Sequence, residues 1–292
     1  MTSQREVARD ISYAHSATTK GGRAMVRVLE NATGRIALIK RANGYEQEVK
    51  KGIDFWDVMI EKYGLSLEVS GEGLSSIPTD GPLILIANHP YGILDGLIMG
   101  HILSNIRGDF RILANSVFHK SETLNRTILP ISFDETKEAV KQNLETRKES
   151  LRYLNDGGAI GIFPGGTVST AAKPFSHPMD PSWRSFTARM VAKSNATVVP
   201  IYFDGHTSRL FQIASHLHNT LRLGLFIKEF KKRVDAPVKI VVGTPIAREE
   251  LQKRSHDARE MMAFLRKSTY RLSPKPLKNL ENGYEFENRY KN

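Results

Sequence analysis

Two side chains in this sequence have the types and spacing for acid–base chemistry: His89 and Asp95, within residues 83–96, LILIANHPYGILDG. A neutral alcohol attacks an acyl group slowly until a base removes its proton, and histidine is the side chain whose ordinary pKa suits that task near neutrality. A carboxylate on the other ring nitrogen fixes the tautomer and orientation. Residues 83–87 form a continuous apolar run too short for a helix of its own, which reads as a buried strand with His89 where it emerges. Pro90 and Gly92 then favour a tight turn, and the pattern DGLIMGHILSNI from Asp95 reads as an amphipathic helix opening on an acid. That turn would let Asp95 face back to His89. Each residue also has a structural reading, His89 as a hydrogen-bonded strand-end side chain and Asp95 as a helix N-cap.

A second stretch adds the complementary chemistry. Residues 159–163, AIGIF, read as a buried strand leading into PGGTVS at 164–169. The adjacent Gly165 and Gly166 let successive backbone N–H groups approach an anion or a developing oxyanion, where side chains would obstruct. Taken alone, a glycine pair is equally a plain turn. The glycine spacing from Gly161 to Gly166 matches a phosphate-binding loop, yet Thr167 stands where the lysine is required, which excludes an NTPase. No G-x-S-x-G elbow occurs, which weighs against a serine hydrolase. The chain has no cysteine, so thiolate catalysis, disulfides and cysteine-ligated zinc are excluded. His216 and His218 point apart on a helix and make poor shared ligands, so no metal is expected.

Asn88-His89 followed by Asp95-Gly96, with FPGGTVS at 163–169 and VVPIY at 198–202, resembles the glycerolipid acyltransferases of the lysophosphatidic acid acyltransferase type. The resemblance covers about residues 81–246. The family's first motif is NH, four residues, then D; here five residues separate His89 from Asp95. An NHPxGxxDG form is similar to the bacterial branch that acylates lyso-ornithine lipids and related non-phosphorylated acceptors. The family's second motif is FPEGTRS, whose Glu and Arg are associated with a phosphorylated acceptor, and Gly165 and Val168 occupy those places here. Losing a guanidinium fork removes a bidentate phosphate contact, which argues for an acceptor whose headgroup is not held by that pair, with lyso-ornithine lipid the leading choice.

The resemblance implies His89 as general base, Asp95 as its orienting acid, and Asn88, Pro164, Gly165, Gly166, Thr167, Ser169 and Pro200 as substrate-binding positions. Proline in a strand also simply marks an edge or an end, so Pro200 keeps that second reading. A further arginine motif of the family falls near LPISFDE at 129–135, which carries acids instead, with Arg111 or Arg126 as stand-ins. The implied reaction takes its acyl group from acyl carrier protein or coenzyme A as co-substrate and needs no other cofactor. Two rivals stay open: a lysophosphatidic acid or lysophospholipid acyltransferase holding phosphate through other basic residues, and a non-catalytic basic lipid-binding protein on the same scaffold.

The elements that must position these residues alternate along the chain. Apolar runs at 83–87, 110–115, 159–163, 197–203 and 238–243 read as strands between helical stretches, which predicts an α/β fold, a mixed sheet flanked by helices. Residues 136–155 read as a helix with Val140, Leu144, Leu151 and Leu154 on its apolar face and Asp156-Gly157-Gly158 as its stop. Residues 209–233 read as one long helix leaning on the core, and a basic helix runs to about 271. The tail 273–292 is polar and reads as weakly ordered. Residues 1–70 are helical and basic, with apolar and basic residues mixed at 22–29 and 36–41; they read as a membrane-interface region or as a layer packed on the core. The expected organisation is this N-terminal region, an acyltransferase domain over 71–250, and a C-terminal helix with a polar tail over 251–292.

The net charge of +11, from 42 Lys and Arg against 31 Asp and Glu, implies an anionic partner such as a membrane surface or an acidic carrier protein. No RNA-recognition signature and no basic stripe interleaved with aromatics points to nucleic acid. No stretch approaches the roughly 20 apolar residues of a membrane span, and residues 1–10 lack the apolar core of a signal peptide. The expectation is a peripheral protein on the cytoplasmic face of the inner membrane.

Overall fold

The computed structural model describes residues 11–17, 19–115, 122–132 and 136–286. The reading of residues 1–10 and the Phe133-Asp134-Glu135 part of the arginine-motif region therefore lie outside it. The chain opens with four helices, α1 (Lys20–Thr33), α2 (Arg35–Ala42), α3 (Tyr45–Lys50) and α4 (Phe55–Lys62). From there strands and helices alternate: β1 (Ser66–Gly71), β2 (Leu83–Ala87), α5 (Ile93–Arg107), β3 (Arg111–Asn115), α6 (Glu122–Thr127), β4 (Ile128–Ile131), α7 (Lys137–Asn155) and β5 (Ala159–Ile162). The remainder is β6 (Thr170–Ala171), β7 (Pro178–Met179), α8 (Ser185–Lys193), β8 (Thr197–Phe203), α9 (Arg209–Leu217), α10 (Asn219–Lys231), β9 (Pro237–Val242), α11 (Arg248–Gln252) and α12 (Ala258–Tyr270).

Seven strands form one mixed sheet in the order β1-β9-β8-β2-β5-β3-β4, and β6 pairs with β7 apart from it. Strands β8, β2, β5, β3 and β4 run parallel, and β9 pairs antiparallel to β8. All five residues of β2 are buried, because the strand carries apolar side chains to both faces of the sheet. Leu83, Leu85 and Ala87 join a core that takes in Leu94, Ile98 and Ile102 of α5 and Leu38, Trp56 and Tyr63 of the N-terminal helices. Ile84 and Ile86 face the other way, onto Met190, Val191 and Leu265. The N-terminal helices thus cover one sheet face, which realises the packed-layer reading, while Met25, Val28 and Ile36 still point to solvent.

The α/β class and the five expected strands are present to within a residue or two. The sequence reading passed over β1, an exposed edge strand with a mixed pattern, and β4, a four-residue strand containing Pro130. It also misassigned the inner face of α7: Val140 and Leu144 are exposed, whereas Ala139, Thr146, Ser150 and Leu154 are buried. Small residues let the helix sit close to β4, where Thr146 donates to the Pro130 carbonyl. The single long helix over 209–233 is two helices, because His218 is extended and accepts a hydrogen bond from the Thr220 amide as the cap of α10.

Residues 273–286, the described part of the tail, correct the expectation of weak order. Gly283 N–H donates to the Asp180 carbonyl and Tyr284 N–H to the Thr170 carbonyl, so the tail lies along β6 and β7. Arg266 on α12 reaches the Leu280 and Glu281 carbonyls and the Asp180 carbonyl with its two terminal nitrogens, and Arg184 pairs with Glu285 at 2.8 and 2.9 Å. Replacing Arg266 removes three hydrogen bonds that fasten the tail, at about 1 kcal/mol each, while the Asp180 carbonyl keeps Gly283 N–H. Arg266→Met should lower unfolding stability by about 2–3 kcal/mol and speed tryptic cleavage after Lys278; an unchanged digestion time course would mean that the tail is held by other contacts.

Candidate active site

The site forms where β2, β5 and β8 end, at the carboxyl edge of the parallel strands, the edge at which open α/β sheets bind ligands. His89 Nδ1 stands 2.9 Å from Asp95 Oδ2. Asp95 is the third residue of α5 and has no exposed surface, and the same Oδ2 accepts from the amides of Tyr91 (2.7 Å) and Gly92 (3.0 Å). The residue added relative to the usual spacing is absorbed in this turn. Gly92 takes φ +79°, and a Cβ there would meet the Tyr13 hydroxyl and Val168, which seats the turn against the second loop. Burial pushes the Asp95 carboxyl above the usual carboxylate range, against the opposing pull of His89 and the two amides. His89 keeps 19% of its side chain exposed, so its ring is open to a substrate.

The second loop begins and ends on His89. Phe163 stacks on the imidazole with ring centroids 4.4 Å apart, and Ser169 N–H donates to the His89 carbonyl at 2.8 Å. Between them Gly166 N–H closes the turn onto the Phe163 carbonyl, so it is spent. Among the described residues, the N–H groups of Gly165 and Thr167 have no protein acceptor and are free for a ligand. A Cβ at Gly165 would lie 3.2 Å from Asp180, and Val168 is buried against Phe211 and Phe226. The Glu and Arg that the related motif carries would therefore have to displace packed neighbours at both places.

The remaining expected positions divide. Thr167 is half-buried at the loop apex and Pro164 is buried, with its carbonyl accepting from Arg184 N–H. Asn88 spends its side chain within the protein: its amide donates to the Phe203 carbonyl and accepts from Phe203 N–H, tying β2 to the end of β8. Ser169 gives its hydroxyl to Asp180. Pro200 lies level with Ile86, short of the site; its carbonyl accepts from Gly243 and its ring packs there. Pairing with β9 begins at Ile201, so the missing N–H falls at the ladder's end, the structural reading of that proline. Arg111, bonded to Asp109, is the first residue of β3, and Arg126 lies just before β4, so both stand at the amino ends of their strands, at the opposite edge of the sheet.

Two residues of the site carried no pattern in the sequence. Asp180, fully buried, accepts from the His89 amide (3.2 Å), the Ser169 hydroxyl and the Trp183 indole (2.9 Å), and so fixes both loops at once. Arg222, on α10, donates to Thr167, Val168, Thr170 and Ser215, and burial pushes its guanidinium down to about 9. No group of three metal-ligating side chains converges among the described residues.

A histidine beside a buried acid, near backbone donors without a protein acceptor, is an arrangement suited to group transfer to a hydroxyl. Residues 49–278 match a family model described as Acyltransferase, and the chain belongs to that family. It is 24% identical over 230 residues to a lyso-glycine lipid O-acyltransferase of Phocaeicola vulgatus, covering 76% of this chain and 79% of that protein. A second, of the same description from Bacteroides thetaiotaomicron, is 24% identical over 57% of this chain and 58% of its own length. A 1-acyl-sn-glycerophosphate (LPA) acyltransferase structure from Thermotoga maritima aligns with a TM-score of 0.44 at 15% identity, covering 87% of this chain and 98% of that one.

Asp95→Asn should separate activity from stability. Its carboxyl titrates higher folded than unfolded, so the ionised form weighs against the fold at neutral pH and protonation relieves it as pH falls. The variant should lose most of its turnover, yet melt at or above the wild-type temperature at pH 7, with wild type gaining on it as pH falls. A variant that melts lower at pH 7 would contradict this.

Proposed function

We propose that the protein moves a fatty acyl group from an acyl thioester, carried by acyl carrier protein or coenzyme A, to the hydroxyl of a membrane lysolipid without a headgroup phosphate, of the lyso-ornithine or lyso-glycine kind. The observation that carries the reading is the His89–Asp95 pair beside a loop in which Asp180 and the aromatic cluster fill the places of the phosphate-associated side chains. His89 takes the acceptor's hydroxyl proton as the oxygen attacks the thioester carbon. A carbon–oxygen bond forms, the carbonyl pair moves onto its oxygen, and the free N–H groups of Gly165 and Thr167 steady that charge. Collapse breaks the carbon–sulfur bond, and the thiolate recovers the proton from His89. The donor is already activated, so no enzyme nucleophile is required. The retained pair favours catalysis over a lipid-binding role on the same scaffold.

The membrane approach follows from the N-terminal helices. Met25, Val28 and Ile36 stand 53%, 67% and 53% exposed, with Lys20, Arg23 and Lys40 exposed among them. Apolar side chains seated in a headgroup layer with cations around them, on a chain of net charge +11, suit an anionic bilayer. No helix among the described residues is long and apolar enough to cross a membrane. The proposal is peripheral attachment at the cytoplasmic face of the inner membrane.

Purified protein supplied with radiolabelled acyl-carrier and coenzyme A thioesters should acylate lyso-ornithine or lyso-glycine lipid at least about tenfold faster than lysophosphatidic acid, a preference worth about 1.4 kcal/mol. Preference for lysophosphatidic acid would overturn the acceptor assignment, and no transfer with any acceptor would favour the lipid-binding role. Triple replacement of Met25, Val28 and Ile36 by serine should weaken sedimentation with phosphatidylglycerol vesicles without lowering the melting temperature; unchanged sedimentation would remove these helices from the membrane contact.

A further inference from the structure

Arg222 is a charged group that the acyl-transfer scheme leaves without a task. It is 3% exposed, and each of its partners is neutral: Nη1 donates to Thr170 Oγ1 (2.7 Å) and Ser215 Oγ (3.0 Å), Nη2 to Thr167 Oγ1 (3.1 Å) and the Val168 carbonyl (3.0 Å). The Phe286 ring lies 4.2 Å from the guanidinium carbon, with Phe211 and Phe226 just beyond. A buried cation is ordinarily matched by a carboxylate, since an unmatched charge out of water costs folding stability. Here two of the four partners, Thr167 and Val168, belong to the loop that begins and ends on His89, and a third, Thr170, directly follows it.

Thr167 gives that charge an outlet. Its hydroxyl oxygen accepts from Arg222, and among the described residues its hydrogen has no acceptor. A hydroxyl whose oxygen accepts from a cation is held in one orientation and becomes a stronger donor. The side chain is half-buried at the apex of the loop, between Phe163 stacked on the imidazole and Ser169 bonded to the His89 carbonyl. It stands beside the free N–H groups of Gly165 and Thr167.

We propose that Arg222 and Thr167 form a relay in which the guanidinium, through Thr167 Oγ1, turns the threonine hydroxyl onto the substrate carbonyl oxygen that becomes negative in the tetrahedral intermediate. Thr167 touches the reacting atoms; Arg222 is a positioning residue. Direct capture of a headgroup anion by Arg222 is opposed by its enclosure, with four N–H contacts taken and aromatic rings against it. The relay rests on the acyl-transfer reading above and adds a third donor to it.

The test is steady-state transfer from palmitoyl-coenzyme A to lyso-glycine lipid by the full chain, with kcat and acceptor KM separated. Thr167→Val should lower kcat by about 10²-fold, the usual loss for one oxyanion donor, and leave the acceptor KM within about threefold. Thr167→Ser, which keeps the hydroxyl, should recover most of the turnover lost in Thr167→Val, and a serine variant as slow as the valine one would overturn the relay. Arg222→Gln should fall comparably, Arg222→Lys less, and the double variant Arg222→Gln/Thr167→Val should be no slower than the slower single, the non-additivity of groups acting as a unit. Thr167→Val lies on a half-buried loop position and keeps the test open if the Arg222 variants do not fold. Turnover of Thr167→Val within about twofold of wild type, losses that multiply in the double variant, or a loss confined to the acceptor KM would each overturn the relay. Wild type and His89→Ala run alongside separate the claims: no transfer by wild type sinks the acyl-transfer reading and full activity of His89→Ala removes its base, whereas an active wild type and an inactive His89→Ala with an active Thr167→Val sink the relay alone.

Discussion

A carboxylate with no exposed surface is costly to ionise, by several kcal/mol even after the surroundings relax, and Asp95 is such a group. The amides of Tyr91 and Gly92 and the ring of His89 offset that cost by converging on one oxygen, Oδ2. The amide contacts come from the turn itself, so the acid proposed to orient His89 also folds the segment that carries it. Asp95 in turn is placed by α5, whose Leu94 and Ile98 are fully buried in the main core. A catalytic geometry that depended on loops alone would drift; this one is anchored to a buried strand on one side and a buried helix on the other.

The rest of the site repeats the pattern of loops fixed from behind. Asp180 holds the His89 amide and the Ser169 hydroxyl together, Asn88 clamps β2 to β8, and the tail fastens the β6–β7 hairpin through Arg266 and Gly283. These contacts are turned into the protein, which leaves His89 and Thr167 partly exposed and the N–H groups of Gly165 and Thr167 without a protein acceptor. Such supporting contacts keep donors in place before the reaction, where a fixed dipole needs no reorganisation as charge develops.

How much of this the chain discloses before folding follows from how local each signal is. Strands β2, β5 and β8 are legible because both faces of each are buried, which writes a continuous apolar run. The His89–Asp95 pair is legible because Pro90 and Gly92 mark the turn between them. Motif membership, by contrast, places a residue near the site without saying where its side chain points, so Asn88, Ser169 and Pro200 read as ligand contacts and are braces. Asp180 and Arg222 act across 91 and 55 positions of sequence, with no local pattern to reveal them. Val140 and Leu144 mislead for a related reason, since the inner face of α7 is chosen by close approach to β4 and is lined by small residues.

Membership of the acyltransferase family, the buried acid and the free loop donors converge on one claim, that His89 removes the acceptor's proton. The most direct measurement is the initial rate of acyl transfer by His89→Ala, beside its melting temperature and its sedimentation with vesicles. The account predicts a rate lower by about 10²–10⁴-fold in a protein that melts and binds vesicles as wild type does. A folded His89→Ala variant that transfers acyl groups at a near-normal rate would contradict it.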